Sequence, residues 1–156
     1  MSAATLAKGT IGARNHIDES GHDEGLARTM GAIALMGIAL IHFLDVFSKF
    51  RETPYLGALY VLLIVACLAA VALMLTGKAR HGWMLAAAAA AGPLLFYTLS
   101  RTTGLPSSNG DIGNWEEPLG LASLFVEGSL VTLSLWALTR LNGYNSRRRV
   151  PRHRAA

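Results

Sequence analysis

The chain has one cysteine in 156 residues, so no disulfide within it can staple the fold. Cys67 stands inside an apolar run, where a small buried residue is expected. Charge is scarce. Asp, Glu, Lys and Arg make up 15% of the residues, against about 25% in an ordinary soluble domain. There is no phosphate-binding glycine loop, dinucleotide fingerprint, CxxC, HExxH or GxSxG pattern, so no motif announces a reaction. Internal repeats and Gly/Ser-rich linkers are also missing. The formal net charge of +4 does not describe a nucleic-acid surface, because Arg147, Arg148, Arg149, Arg152 and Arg154 crowd the last ten residues.

What the chain has in abundance is apolar residues, 52% of the total, gathered into long blocks with the charges between them. Such blocks are apolar all round, which points to lipid as their solvent. Four spans are predicted, over residues 27–47, 56–75, 83–99 and 118–138. Each is long enough to cross a ~30 Å hydrocarbon core as a helix. Helices are required because hydrocarbon offers no partner to an open backbone. The expected fold is all-α, an antiparallel four-helix transmembrane bundle over residues 27–140. It is flanked by a disordered N-tail (1–26) and a basic C-tail (141–156). Tyr55, Trp83, Tyr97 and Trp115 fall near span ends, as interfacial aromatics do.

Lys and Arg fix the expected orientation. Eleven fall on the side shared by the two tails and the loop over residues 76–82, and three (Lys49, Arg51, Arg101) on the other. The positive-inside rule places both termini in the cytoplasm of a multi-pass cell-membrane protein. The C-terminal arginines suit anionic lipid headgroups, and no nucleic-acid partner is expected. Small residues mark close helix contacts: Gly31 and Gly37, the row Ala86 to Ala91, Gly120 and Gly128. Span three is expected to touch at least two neighbours.

Ionisable groups inside a span are costly and face a partner or a cavity. Here they are His42 and Asp45 in span one and Glu127 in span four, with Arg101 just past span three. His42 lies ~8–9 Å below the outer end of its span and Glu127 ~13 Å below the start of its own. Side chains lean toward a helix N-terminus, which brings imidazole and carboxylate to one level. Asp45 shares a face with His42, and Arg101 is long enough to reach down to them. A polar cluster of His42, Asp45, Arg101 and Glu127 is therefore expected, open or nearly open to the outer face. Tyr97, Ser100 and Ser123 are possible additions.

Two readings of that cluster stay open. Its charges can neutralise one another and lock three helices in register. Alternatively it is a site, for a divalent metal, for proton-coupled transport through Glu127, or for an anionic or quinone-like ligand beside Arg101. Bis-histidine haem is unsupported, since spans two to four hold no histidine. His16 and His22 lie among carboxylates in the N-tail, which reads as a solvated charge run.

The segments His42-Phe43-Leu44-Asp45, Thr53-Pro54-Tyr55-Leu56-Gly57, Ser100-Arg101-Thr102-Thr103-Gly104-Leu105-Pro106 and Glu117-Pro118-Leu119-Gly120, followed by Glu127, resemble small four-span integral membrane proteins of actinobacterial type. The resemblance covers roughly residues 27–140. It implies a four-helix membrane fold and a common purpose for these polar residues. It implies no activity. The functional expectation is a non-enzymatic accessory or small-ligand-binding membrane protein with an outward-facing polar cluster. A small oligomeric transporter coupled through Glu127 comes second and a membrane oxidoreductase third. No cofactor can be assigned.

Overall fold

The computed structural model describes residues 3–148 by their backbone and 22–143 by their side chains. Four helices make up the fold: α1 (Ala3–Glu52), α2 (Pro54–Leu75), α3 (Ala79–Thr102) and α4 (Pro118–Arg148). Each contains a stretch long and apolar enough to cross a membrane. The 22 residues of α2 rise ~33 Å, one hydrocarbon thickness. Large apolar side chains point away from the bundle along its sides, among them Ile33, Phe47, Leu62 and Phe125, the last 77% exposed. Contiguous apolar surface on this scale is stable against lipid and not against water. The protein is an integral membrane protein.

α1 begins at Ala3 and runs unbroken through the segment where a disordered tail was expected. Ala3, Ala4, Leu6, Ala7, Lys8 and Ala13 are strong helix formers. Extending an existing membrane helix avoids the cost of a new nucleus. The five C-terminal arginines expected to meet lipid lie outside the residues whose side chains are described.

The connections follow from local chemistry. α1 and α2 are separated by Thr53 alone. Its extended backbone (φ −148°, ψ 89°) is what a residue before proline adopts, and Pro54 starts α2 with no backbone donor to leave unpaired. α2 closes at Gly77, whose φ of +79° needs a residue without Cβ. The Lys78 amide then donates to the Leu73 carbonyl at 3.0 Å, the long bond of a Schellman close. The loop between α3 and α4 folds back on the bundle end. The Gly113 amide donates to the Arg101 carbonyl at 2.9 Å, and Tyr55 Oη donates to the Pro106 carbonyl at 2.7 Å.

The helices pack in a ring, α1 against α2, α2 against α3, α3 against α4 and α4 against α1, with little direct contact between α1 and α3. α3 thus has the two neighbours expected of its alanine row, and Ala86, Ala89 and Ala90 are buried. Gly82 lies against the Met74 amide and the Ala70 carbonyl of α2, where an added Cβ would be 3.0 and 3.1 Å from backbone atoms. Trp83, expected at the membrane interface, is instead buried to 1%. Gly31 makes the room: a Cβ there would fall 2.6 Å from the indole. Gly120 serves the Tyr97 ring in the same way. Gly128 departs from the expectation, since nothing lies within 4 Å of a Cβ built on it. It faces a shallow groove on the side of α4 turned away from the bundle, with Phe125 and Thr132.

Candidate functional site

The two connections α1–α2 and α3–α4 share one end of the bundle, and a cavity of about 110 Å³ opens between the helices below them. All four residues of the expected cluster, His42, Asp45, Arg101 and Glu127, line it. So do Tyr97, Ser100 and Ser123. The pairing among them differs from the one the sequence suggested.

His42 projects from α1, and its Nδ1 lies 2.9 Å from the Ile38 carbonyl oxygen one turn back. A carbonyl only accepts, so Nδ1 carries a proton, and when the ring is neutral Nε2 presents a lone pair. The edge of the ring meets Tyr60 of α2, with centroids 4.7 Å apart. Nε2 looks across to α4, where Glu127 Oε1 is 3.9 Å away, beyond hydrogen-bond reach. Glu127 is fully buried. Ser123, one turn before it, donates its hydroxyl to Oε1 at 2.5 Å. Oε2 is buried with no hydrogen-bond partner among the described residues.

Arg101 does not reach down to Glu127. It stands one residue from the end of α3, and its guanidinium turns toward the acidic loop. Nη1 is 2.9 Å from Asp111 Oδ1, off the hydrogen-bond direction, and Nη2 donates to Glu117 Oε2. The guanidinium also lies over the Tyr97 ring, 4.7 Å from its centroid. Two carboxylates and an aromatic face at the bundle end outweigh one carboxylate deeper in the membrane, and the loop folds to bring them there. Nε stays buried and unpartnered. Asp45 likewise turns from His42 to Lys49, one turn along α1, with Oδ2 and Nζ 3.9 Å apart. Ser100 donates to the Tyr97 carbonyl at 2.8 Å.

Sequence reasoning missed five polar members of the wall: Lys49, Tyr60, Ser108, Asp111 and Glu117. Lys49 carried a signal, since it stands four residues from Asp45. Tyr60 carried another as a lone polar aromatic well inside α2. The loop acids carried none, because a loop has no periodicity that gives direction. Among the described residues no three His, Cys, Asp or Glu side chains converge as a metal-binding set. An anion beside Arg101 would have to displace Asp111 and Glu117. Below Glu127 the bundle is filled by Leu35, Ile38 and Leu130, all fully buried, so the cavity has a closed floor.

Comparison with family models, curated proteins and solved structures found no match.

Proposed function

We propose that this protein is a membrane binding protein, not an enzyme, and that the cavity under the α3–α4 loop receives a small polar ligand from the outer side of the membrane. The observation that carries the reading is Glu127. A fully buried carboxyl group with one oxygen unpartnered, on the wall of a cavity, is costly to keep. An unsatisfied buried polar group destabilises a fold by about 1–3 kcal/mol. A ligand that satisfies it gives that cost a use. A purely structural lock is less well supported, because Arg101 and Lys49 are both paired elsewhere and Glu127 gains no cation from either. The transport reading needs a second opening, and the packed floor of Leu35, Ile38 and Leu130 stands against it. The outward direction follows from the Lys and Arg distribution, with eleven on the opposite side.

Two measurements test this proposal. Cys67 can be changed to Ala and Ser108 to Cys, which leaves one thiol, on the loop. In intact cells a membrane-impermeant maleimide should label it fully. Labelling only after the cells are broken would reverse the orientation. For binding, the purified full chain in lipid nanodiscs is heated with methylammonium, acetate or acetamide, each compared with sodium chloride. At least one probe should raise the midpoint of unfolding in the wild type and fail to do so in Glu127→Gln. If all three behave as sodium chloride does, the cavity is not a receptor for small polar molecules.

A further inference from the structure

The charges around the cavity are unequal, and the imbalance falls on one residue. Four carboxylates line it, Asp45, Asp111, Glu117 and Glu127, against two permanent cations, Lys49 and Arg101. Lys49 is shared between Asp45, 3.9 Å away, and Glu52 outside the cavity, 3.0 Å away, and Arg101 answers Asp111 and Glu117. Among the described residues Glu127 has a hydroxyl from Ser123 and no lysine or arginine. Opposite it, His42 Nε2 is a second acceptor in the neutral ring, whose one proton is then committed to Ile38. Two acceptors 3.9 Å apart cannot bond to each other. A single donor ~2.9 Å from each spans the gap.

We infer that the ligand is a small primary ammonium ion, whose N–H groups bridge Glu127 and His42 at the deep end of the cavity. This rests on the cavity being a binding site at all. It adds the sign of the ligand's charge, its donors and its size. A positive charge meets the one carboxylate that lacks a cation. An ammonium carries three donors and no acceptor, which matches a carboxylate oxygen and an imidazole lone pair. Ring faces attract cations. The Arg101 guanidinium occupies Tyr97, while Tyr60 and Phe96 line the same cavity. A cavity of about 110 Å³ is well below the ~300–1,000 Å³ of drug-sized sites, so the ligand is small. A carboxylate ligand would meet Glu127 as a like charge.

The test uses the purified full chain in nanodiscs, with the midpoint of unfolding followed at constant ionic strength. Methylammonium should raise the midpoint with the logarithm of its concentration, by about 3–6 °C at tenfold excess over its dissociation constant. Tetramethylammonium has the charge but no N–H and should act as sodium chloride does. Glu127→Gln should weaken methylammonium at least tenfold. Should that variant not fold, Glu127→Asp keeps the charge, withdraws it by one methylene and should weaken binding by a smaller factor. An equal response to methylammonium and tetramethylammonium would overturn the bridging geometry. A response to acetate or acetamide alone would overturn the cationic class and leave the binding function standing. Methylammonium binding that survives Glu127→Gln unchanged would remove the site from Glu127. Silence from every probe, as when an internal His42 imidazolium already satisfies Glu127, would end both proposals.

Discussion

Replacing Glu127 with leucine is expected to make the protein more stable, by about 1–3 kcal/mol in unfolding from nanodiscs, while it abolishes ligand binding. The sign is the informative part. Were Glu127 a structural counter-ion, its loss would strand a buried cation and cost several kcal/mol. The structure gives it no such dependant. Arg101 is met by Asp111 and Glu117, Lys49 by Asp45, and His42 keeps its bond to the Ile38 carbonyl without help from α4. What leucine removes is a fully buried carboxyl with an unpartnered oxygen, and what it adds fits beside Leu35, Ile38 and Leu130. Buried charges exchanged for apolar groups of similar volume commonly stabilise by this amount. Sites that trade stability for function behave in the same way. A midpoint lower than wild type would show that Glu127 holds the helices together, and the case for a ligand would weaken with it.

Arg101→Met should act in the opposite direction and on a different part of the molecule. The guanidinium is 4% exposed and joins three things: the end of α3, the loop through Asp111, and the start of α4 through Glu117. Methionine keeps the packing against Tyr97 and removes the charge. The two acids left behind are each more than a third exposed, so water softens their loss. The expected destabilisation is about 2 kcal/mol, below the 3–5 seen when a fully buried pair is broken. The effect should be local. Amide hydrogen exchange over residues 103–117 should accelerate at least tenfold, while the α1–α2 corner keeps its protection. Uniform acceleration across all four helices would mean that Arg101 supports the bundle itself and not the loop.

The four membrane helices were legible because lipid imposes one strong rule, and an apolar run of sufficient length satisfies it almost anywhere. Residues that could form the site were legible for the complementary reason. Where nearly everything is apolar, His42, Asp45 and Glu127 stand out, and depth counted along each helix set His42 and Glu127 at a common level. Their partners were not legible. Whether Arg101 turns down to Glu127 or up to Asp111 depends on where a loop of fifteen residues folds, and no repeat in the sequence records that. Trp83 shows the same limit. Its position near a span end suggested the interface, and only the neighbouring helix, with Gly31 facing it, explains why it lies inside.

The single-residue corner at Thr53 bears on how the cavity can breathe. With one residue between α1 and α2, the wall bearing His42, Asp45, Lys49, Leu56 and Tyr60 is built on nearly continuous backbone. A ligand of the kind proposed would meet that half already shaped, so its capture would cost little ordering there. Admission then falls to the opposite half. The strap over the mouth turns at Gly104 and Gly113, the two left-handed glycines that bracket it, and Tyr55 is latched to its middle at Pro106.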